Sequence, residues 1–170
     1  IGDVIPIKVT FSEIVVVNGT PQLTLETGSS DAVVNYSSGS NSAELLFNYT
    51  VAEGHVSSDL AYESTSALAL NSGTINDAAG NSATLTLASP GASNSLSNSK
   101  ALVIDGVVPT ISNVTSTTND GTYKLGDAVA ITISFSETMT VTGTPQLTLE
   151  TGSSDAVVNY ASGSGSSTLT

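Results

Sequence analysis

The chain contains one stretch of 18 residues twice, because residues 19–36 and 143–160 are identical. The two copies lie 124 residues apart, and 30 of the 46 positions that can be compared at this offset are identical. Repetition at a fixed spacing indicates an array of similar structural units. The sequence therefore predicts tandem domains with a period of 124 residues, and not one compact enzyme domain.

The run Asp105-Gly106-Val107-Val108-Pro109 is typical of a joint between domains, since proline stiffens a link and glycine permits a turn. We place the boundary at this run. Residues 1–106 are predicted to be one repeat that lacks its first strand, the counterpart of residues 107–124. Residues 107–170 are predicted to be the N-terminal half of the next repeat, so we expect both chain ends to fall inside a repeat.

Apolar residues alternate with polar ones near the start of each copy, which predicts a half-buried strand. The apolar positions are Ile5, Ile7, Val9 and Phe11 in the first copy, and Val129, Ile131, Ile133 and Phe135 in the second. The following Ile14-Val15-Val16 is replaced by Thr138-Met139-Thr140, so this segment is predicted to be exposed.

Further extended segments are separated by turn signals. They are predicted at residues 22–26, 32–36, 44–51, 67–70, 74–75, 83–87, 101–104 and 110–116. Residues 53–60 are predicted to form a loop with one helical turn, and residues 88–100 a loop. Short strands without a helical period predict an all-β fold, namely antiparallel β-sandwich repeats of immunoglobulin-like type in tandem.

The charge balance is strongly acidic, with 15 acidic residues, three lysines and a net charge of −12. Nucleic acids and anionic membranes are not expected partners, because binding phosphate requires clustered Lys and Arg. No apolar run approaches about 18 residues, so direct membrane insertion is not expected. Cysteine is absent, which excludes disulfides and thiolate metal sites. The acidity favours divalent cations, or simply maintains solubility.

Several motifs resemble the bacterial Ig-like tandem repeats of giant secreted surface adhesins. They are Phe11-Ser12-Glu13, Asp77-Ala78-Ala79-Gly80-Asn81, the joint at residues 105–109, and the phrases at residues 19–28 and 65–75. The resemblance covers essentially the whole chain. It implies an extracellular stalk on the bacterial surface, exported by type I secretion and often stiffened by calcium, which serves cell adhesion or biofilm formation. The adhesive tip would lie elsewhere in such a protein.

Calcium is the expected cofactor, because it takes about six to eight oxygen ligands and loops of adjacent sandwich domains can supply carboxylates. The candidate ligands are Glu13, Asp77, Asn81, Asp105, Asp120, Asp127 and Glu137. The resemblance favours Glu13, Glu137, Asp77 and Asp105 among them. The alternative is that Asp77 and Asn81 form an Asx turn and Asp105 a glycine-assisted turn.

Catalysis is not expected. His55 is the one histidine, and no nucleophile elbow accompanies it. Glu26 and Asp31 could form a glycosidase pair, but they recur in the second copy, and an array would not repeat an active site in every unit.

Two alternatives to a stalk remain open. One is a module that binds glycan or another cell through Tyr62, Tyr123 or the loops at residues 53–60 and 88–100. The other is a filament or sheath subunit, in which a neighbouring identical chain donates a strand to an open sheet edge.

Overall fold

A computed structural model describes all residues from 1 to 170. The chain divides into two compact units, Ile1–Val108 (unit 1) and Pro109–Thr170 (unit 2). The division falls within the predicted joint, two residues beyond the boundary expected at residue 106. The regular secondary structure of both units is almost entirely antiparallel strand, which confirms the predicted all-β class.

Unit 1 contains nine strands and one short helix. They are β1 (Val4–Asn18), β2 (Gln22–Glu26), β3 (Ala32–Ser38), β4 (Ser42–Thr50), β5 (Val56–Ser57), β6 (Ala61–Tyr62), β7 (Leu68–Ala69), β8 (Thr74–Asp77), α1 (Leu96–Ser99) and β9 (Ile104–Asp105). Seven of the strands form one curled sheet in the order β6-β2-β3-β4-β1-β8, with β7 also paired to β2. The remaining strands, β5 and β9, pair with each other.

The core of unit 1 lies on one face of the curled sheet. Leu45, Phe47 and Tyr49 of β4 and the following Val51 are all buried, so alternate residues of this segment share one face. The ring of Phe47 contacts Tyr36 of β3 edge to face, with centroids 6.2 Å apart. The β3-β4 hairpin, which contains the extended segments predicted at residues 32–36 and 44–51, is therefore the centre of the core.

Unit 2 contains five strands. They are β10 (Ile111–Ser116), β11 (Ile131–Met139), β12 (Gln146–Leu149), β13 (Ala156–Asn159) and β14 (Ser166–Leu169). They form a sheet in the order β10-β11-β14 and a separate β12-β13 hairpin. At the 124-residue offset, β11 corresponds to residues 7–15 of β1 and β14 to residues 42–45 of β4.

The two units share an irregularity in strand pairing as well as the regular pairing itself. Between Thr10 and Val15, β1 advances five residues while β4 advances two, from Glu44 to Ser42. β11 and β14 shift register in the same way between Ser134 and Met139. A bulge re-aims the side chains that it carries. In both units this bulge contains the Ser-Glu pair of the Phe-Ser-Glu motif.

The hydrogen bonds around the duplicated stretch also recur. Tyr36 OH accepts from Ser40 N at 2.7 Å, and Tyr160 OH accepts from Ser164 N at 2.7 Å. The Nε2 groups of Gln22 and Gln146 each donate to an asparagine Oδ1 at 2.9 Å. The duplicated sequence therefore folds twice into the same strand-turn-strand scaffold.

Some sequence predictions about unit 1 are wrong. Residues 83–87 form no strand, although Ala83, Leu85 and Leu87 pack inward; pairing ends at one isolated bridge between Asn76 and Ser82. The strand expected at residues 101–104 is reduced to β9.

The other errors concern exposure and helices. Val15 is 2% exposed, whereas Ile14 is exposed as predicted. The loop at residues 53–60 contains no helical turn, and the helical turn that exists is α1, capped by the Ser95 side chain. The one helix, α1, has four residues and could not span a membrane.

Candidate functional site

Three of the seven candidate calcium ligands lie on one cleft in unit 1, here named the Asp77 cleft. The pairing of Val15 with Asp77 joins β1 to β8, and Glu13 precedes Val15 by two residues within the bulge. Glu13, Asp77 and Asn81 all line the cleft, which has a volume of about 420 Å³. Residues 64 positions apart in sequence therefore meet because β8 pairs with the end of β1.

Asp77 is held by the turn that it closes. Its Oδ1 accepts from Asn81 N at 2.7 Å, and its Oδ2 accepts from Asn81 Nδ2 at 2.7 Å. These bonds, first the one from the Asn81 side chain and then the one from its backbone, lower the pKa of Asp77 below the ordinary value of 3.8. The carboxylate therefore stays ionised at neutral pH. The alternative, a local turn that joins Asp77 to Asn81, is present, but the side chain of Asp77 accepts from the backbone four residues on and not two residues on as in an Asx turn.

The Asp77 cleft has the donor chemistry for a weak, water-rich cation site. Each carboxylate oxygen has more than one lone pair, so Asp77 can accept from Asn81 and still contact a cation. The amide oxygen of Asn81 is not used by its own bonds to Asp77. Glu13 adds a second carboxylate, and water would supply the other oxygens that calcium requires. No three acidic or histidine side chains converge closely enough to hold a metal on their own.

Asp105 lies apart from this cleft. It belongs to β9, which pairs with β5, and the neighbouring Gly106 donates from N to His55 O. This region adjoins Val51, which bonds to the start of β1. The regular pairing of β1 from Val4 to Thr10 alone spans roughly 20 Å at about 3.3 Å per residue. Asp105 and the Asp77 cleft are therefore at opposite ends of β1.

The side chain of Asp105 also has a local role, since its Oδ1 accepts from Val107 N at 3.1 Å. Gly106 is buried and does not adopt a left-handed backbone; a side chain there would strike the carbonyl oxygens of Ala52 and His55. The glycine is required for this close approach. The predicted reason, freedom to turn, is thus not the one the structure gives.

The unit 2 candidates do not form a cluster like the Asp77 cleft. Both carboxylate oxygens of Asp127 accept from Lys124, one from its backbone N at 3.0 Å and one from its ammonium at 3.4 Å. A neighbouring ammonium competes with any bound cation. Asp120 is exposed, and Glu137 is partly buried within the bulge of β11. At the 124-residue offset, none of residues 109–170 corresponds to Asp77.

His55 packs against the buried core residue Tyr49. Its ring stacks on Tyr49 with centroids 5.7 Å apart, and its Nδ1 lies 2.9 Å from Tyr49 OH and 3.3 Å from Ala52 N. The amide of Ala52 can only donate, so Nδ1 is an acceptor and Tyr49 OH donates to it as well. Burial raises the pKa of Tyr49, which keeps the phenol protonated.

Tyr62 cannot serve as an exposed aromatic platform for binding glycan. It is 6% exposed and donates from OH to Ala88 O at 2.6 Å. Tyr123 is 43% exposed, and its OH bonds to Asn119 O. Of the possible glycosidase carboxylates, Glu26 accepts from Gly28 N at 3.2 Å and thereby fixes a turn.

A second candidate feature is a groove along the free edge of β1, here named the β1 groove. One wall is β1 from Ile5 to Glu13, and the other is formed by residues 82–88 and the loop around α1. The sequence pattern predicted an open edge from the missing first strand. It did not show that an apolar wall faces that edge.

Comparisons with models of protein families, with curated proteins and with solved structures found no match to this chain.

Proposed function

We propose that the chain is a structural repeat of an extracellular bacterial adhesin or surface filament and that it has no catalytic role. The observation that carries the proposal is the recurrence of the same bulge and the same hydrogen bonds in both units, 124 residues apart. An array whose units repeat scaffold contacts has a spacing role that does not depend on any single site. The motif resemblance supports immunoglobulin-like sandwich repeats, and the neighbouring repeats are the first partners.

The proposed mechanism is mechanical. Unit 1 has its own buried core, and a short proline-containing joint follows it, so each repeat can add a fixed length to a stalk. The net charge of −12 adds self-repulsion, which keeps an array soluble and extended. An extended stalk would hold an adhesive segment away from the cell and so serve adhesion or biofilm formation.

Two experiments test this role. Antibodies against the chain should label intact cells of the source organism; label that appears only after permeabilisation would contradict the extracellular assignment. Single-molecule stretching should show unit 1 unfolding as one event, releasing about 360–390 Å from its 108 residues at roughly 3.3–3.6 Å each. Gradual extension without such an event would contradict a load-bearing repeat.

Calcium is proposed as the stiffening ion, with Glu13, Asp77 and Asn81 as its ligands in unit 1. Two carboxylates and an amide oxygen on one cleft support the assignment. Asp105 and Asp127 are weaker candidates, because local backbone and lysine groups engage them. Bound calcium would tie the bulge of β1 to the turn after β8.

The test is a calcium titration followed by calorimetry and by thermal unfolding in calcium and in EGTA. Calcium should raise the melting temperature of the chain, and Glu13→Gln should weaken binding at least tenfold. Glu63→Gln, an exposed carboxylate outside the cleft, is the matched control and should bind as the parent does. A melting temperature that EGTA leaves unchanged would refute the calcium proposal without touching the stalk role.

A further inference from the structure

The turn at residues 52–55, here named the His55 turn, is closed twice by the one histidine of the chain. The backbone N of His55 donates to Ala52 O at 3.2 Å, and its Nδ1 accepts from Ala52 N at 3.3 Å. Nδ1 also accepts from Tyr49 OH at 2.9 Å. Both contacts of the ring therefore require that Nδ1 carries no proton.

The His55 turn also holds the last strand of unit 1. Gly106 N donates to His55 O at 2.7 Å, and Gly54 N donates to Gly106 O at 2.9 Å. Just after the turn, Val56 pairs with Asp105 in the ladder between β5 and β9. The attachment of β9 therefore depends on the conformation of the His55 turn.

Protonation of His55 removes the acceptor that both ring contacts use. With a proton on Nδ1, the ring and the backbone N of Ala52 would present two donors to each other. The hydroxyl of Tyr49 could reverse and accept from Nδ1, but it has no other hydrogen bond that could accept its own proton. Burial raises the pKa of Tyr49, so the phenol keeps that proton near neutral pH. The imidazolium ion therefore does not fit the closed turn.

No carboxylate offsets this loss by pairing with the imidazolium ion. The carboxylates on the surrounding elements are all exposed, and they are Asp3, Glu26, Asp31, Glu53, Asp59 and Asp105. None of them forms an ion pair with His55. Glu26, Asp59 and Asp105 instead accept from backbone N–H groups. Exposed charges that act through water are screened by salt, so they favour the protonated ring only weakly.

We propose that His55 is a pH-sensitive switch that keeps the His55 turn closed when neutral and opens it when protonated. In the open state the ring leaves Tyr49, and the turn no longer holds Gly106. The β5-β9 pair has two residues in each strand, so it does not persist without the turn. All contacts of the switch lie within residues 49–106. The proposal goes beyond the stalk role and rests neither on that role nor on calcium.

Acid favours the open turn because the open state binds the proton more readily. An imidazole in water titrates near pH 6.5, whereas the closed turn disfavours its proton. The stability of the closed turn is therefore fully present above about pH 7.5 and falls as the pH decreases. If the closed turn bound no proton at all, the opening constant would rise about thirtyfold between pH 7.5 and pH 5.0.

The first test is nitrogen-15 NMR of the whole chain, in which the single histidine makes the assignment unique. At pH 7.5 the neutral ring should carry its proton on Nε2 and leave Nδ1 unprotonated. A ring with its proton on Nδ1 would overturn the proposal, because that nitrogen could not accept from Ala52.

The second test is amide hydrogen exchange of the whole chain, corrected for the intrinsic pH dependence of exchange. Protection of Gly54 N and Gly106 N should fall at least fivefold from pH 7.5 to pH 5.0. The amide of Tyr36, which donates to Pro21 O away from the turn, should keep its protection. Unchanged protection of Gly106, or an equal fall at Tyr36, would overturn the proposal.

Two variants separate the charge of the ring from its packing. His55→Asn keeps an acceptor oxygen near the position of Nδ1 but cannot be protonated, so protection of Gly106 should change less than twofold over the same pH range. His55→Phe keeps a ring against Tyr49 but loses the acceptor, so protection of Gly106 should be low at both pH values.

A fivefold fall that persists in His55→Asn would overturn the proposal. If that variant does not fold, the tautomer and the amide protection of the parent chain still decide. None of these measurements involves cell labelling, stretching or EGTA, so failure here is separate from failure of the proposed function.

Discussion

Leu45 and Leu169 offer a comparison of the two units within one molecule. They occupy equivalent positions at the 124-residue offset, and they pair with the equivalent residues Val9 and Ile133. Leu45 is 0% exposed in the core of unit 1, whereas Leu169 is only partly buried. The same substitution, leucine to alanine, should therefore have different costs at the two sites.

The expected magnitudes follow from burial. Truncating a fully buried leucine to alanine lowers the free energy of unfolding by about 2–5 kcal/mol, because apolar contacts are lost and a cavity remains. Leu169→Ala removes a side chain that water already reaches, so we expect about 1 kcal/mol. With a urea slope of roughly 1–3 kcal/mol/M, a loss of about 3 kcal/mol lowers the unfolding midpoint of unit 1 by about 1–3 M.

The assay is a urea titration followed by NMR, because the two units can unfold separately and a single global signal would mix them. Resonances of each unit report its own midpoint, and each variant serves as the control for the other. Equal shifts from Leu45→Ala and Leu169→Ala, or a loss below about 1 kcal/mol for Leu45→Ala, would refute the assignment of an independent core to unit 1.

Two further predictions concern turns. Gly39 has a φ of +110°, and a side chain there would strike the Glu44 carbonyl, so Gly39→Ala should cost more than the roughly 1 kcal/mol expected for Gly54→Ala, whose φ is +83° with open space around it. Equal melting temperatures for these two variants would contradict the clash. Asn81→Ala should raise the pKa of Asp77, because the hydrogen bond from the Asn81 side chain, the larger of the two that stabilise its charged form, is lost while the bond from the backbone N of residue 81 remains. Since the pKa is lowered in the folded chain, the stabilisation from Asp77 is present above the ordinary value of 3.8 and is lost as pH falls through the folded pKa. An NMR titration of Asp77 that is identical in parent and variant would contradict this explanation.

The sequence predicted the central strands well because their pattern has a direct physical cause. A strand buried on one face must alternate, and Leu45, Phe47 and Tyr49 are buried as that alternation requires. The duplicated stretch added a second test of the same assignment. Its strand-turn-strand form appears in both units, so an internal comparison could replace an alignment of relatives.

The errors arise where burial and pairing are separate properties. Leu85 and Leu87 alternate inward as a strand would, yet their segment has no ladder, because alternation reports which side is buried and not which backbone is adjacent. Val15 is buried although its neighbours Ile14 and Val16 are exposed, and its counterpart Met139 is also apolar. The burial of Tyr62 could not be predicted from the local sequence, because the carbonyl that its hydroxyl contacts belongs to Ala88, 26 positions away.

The candidate site was predictable only as separate residues. Asp77 and Asn81 form a recognisable turn, and Glu13 follows a clear strand, but their meeting depends on the register between β1 and β8. That register joins two strands that are far apart in the sequence, so neither local pattern specifies it. Asp105 shows the opposite outcome, because its pairing in β9 places it at the other end of β1 from the Asp77 cleft.

The central claim is that residues 124 positions apart are equivalent parts of one repeated structure. Amide hydrogen exchange of the whole chain tests it most directly. Tyr36 N and Tyr160 N donate to proline carbonyls at 2.7 and 2.8 Å, and Ser40 N and Ser164 N donate to tyrosine hydroxyls. If the two copies are equivalent, protected and unprotected amides should occur in the same order in residues 19–40 and 143–164, with lower absolute protection in unit 2. A protection pattern that is present in one copy and absent or reordered in the other would contradict it.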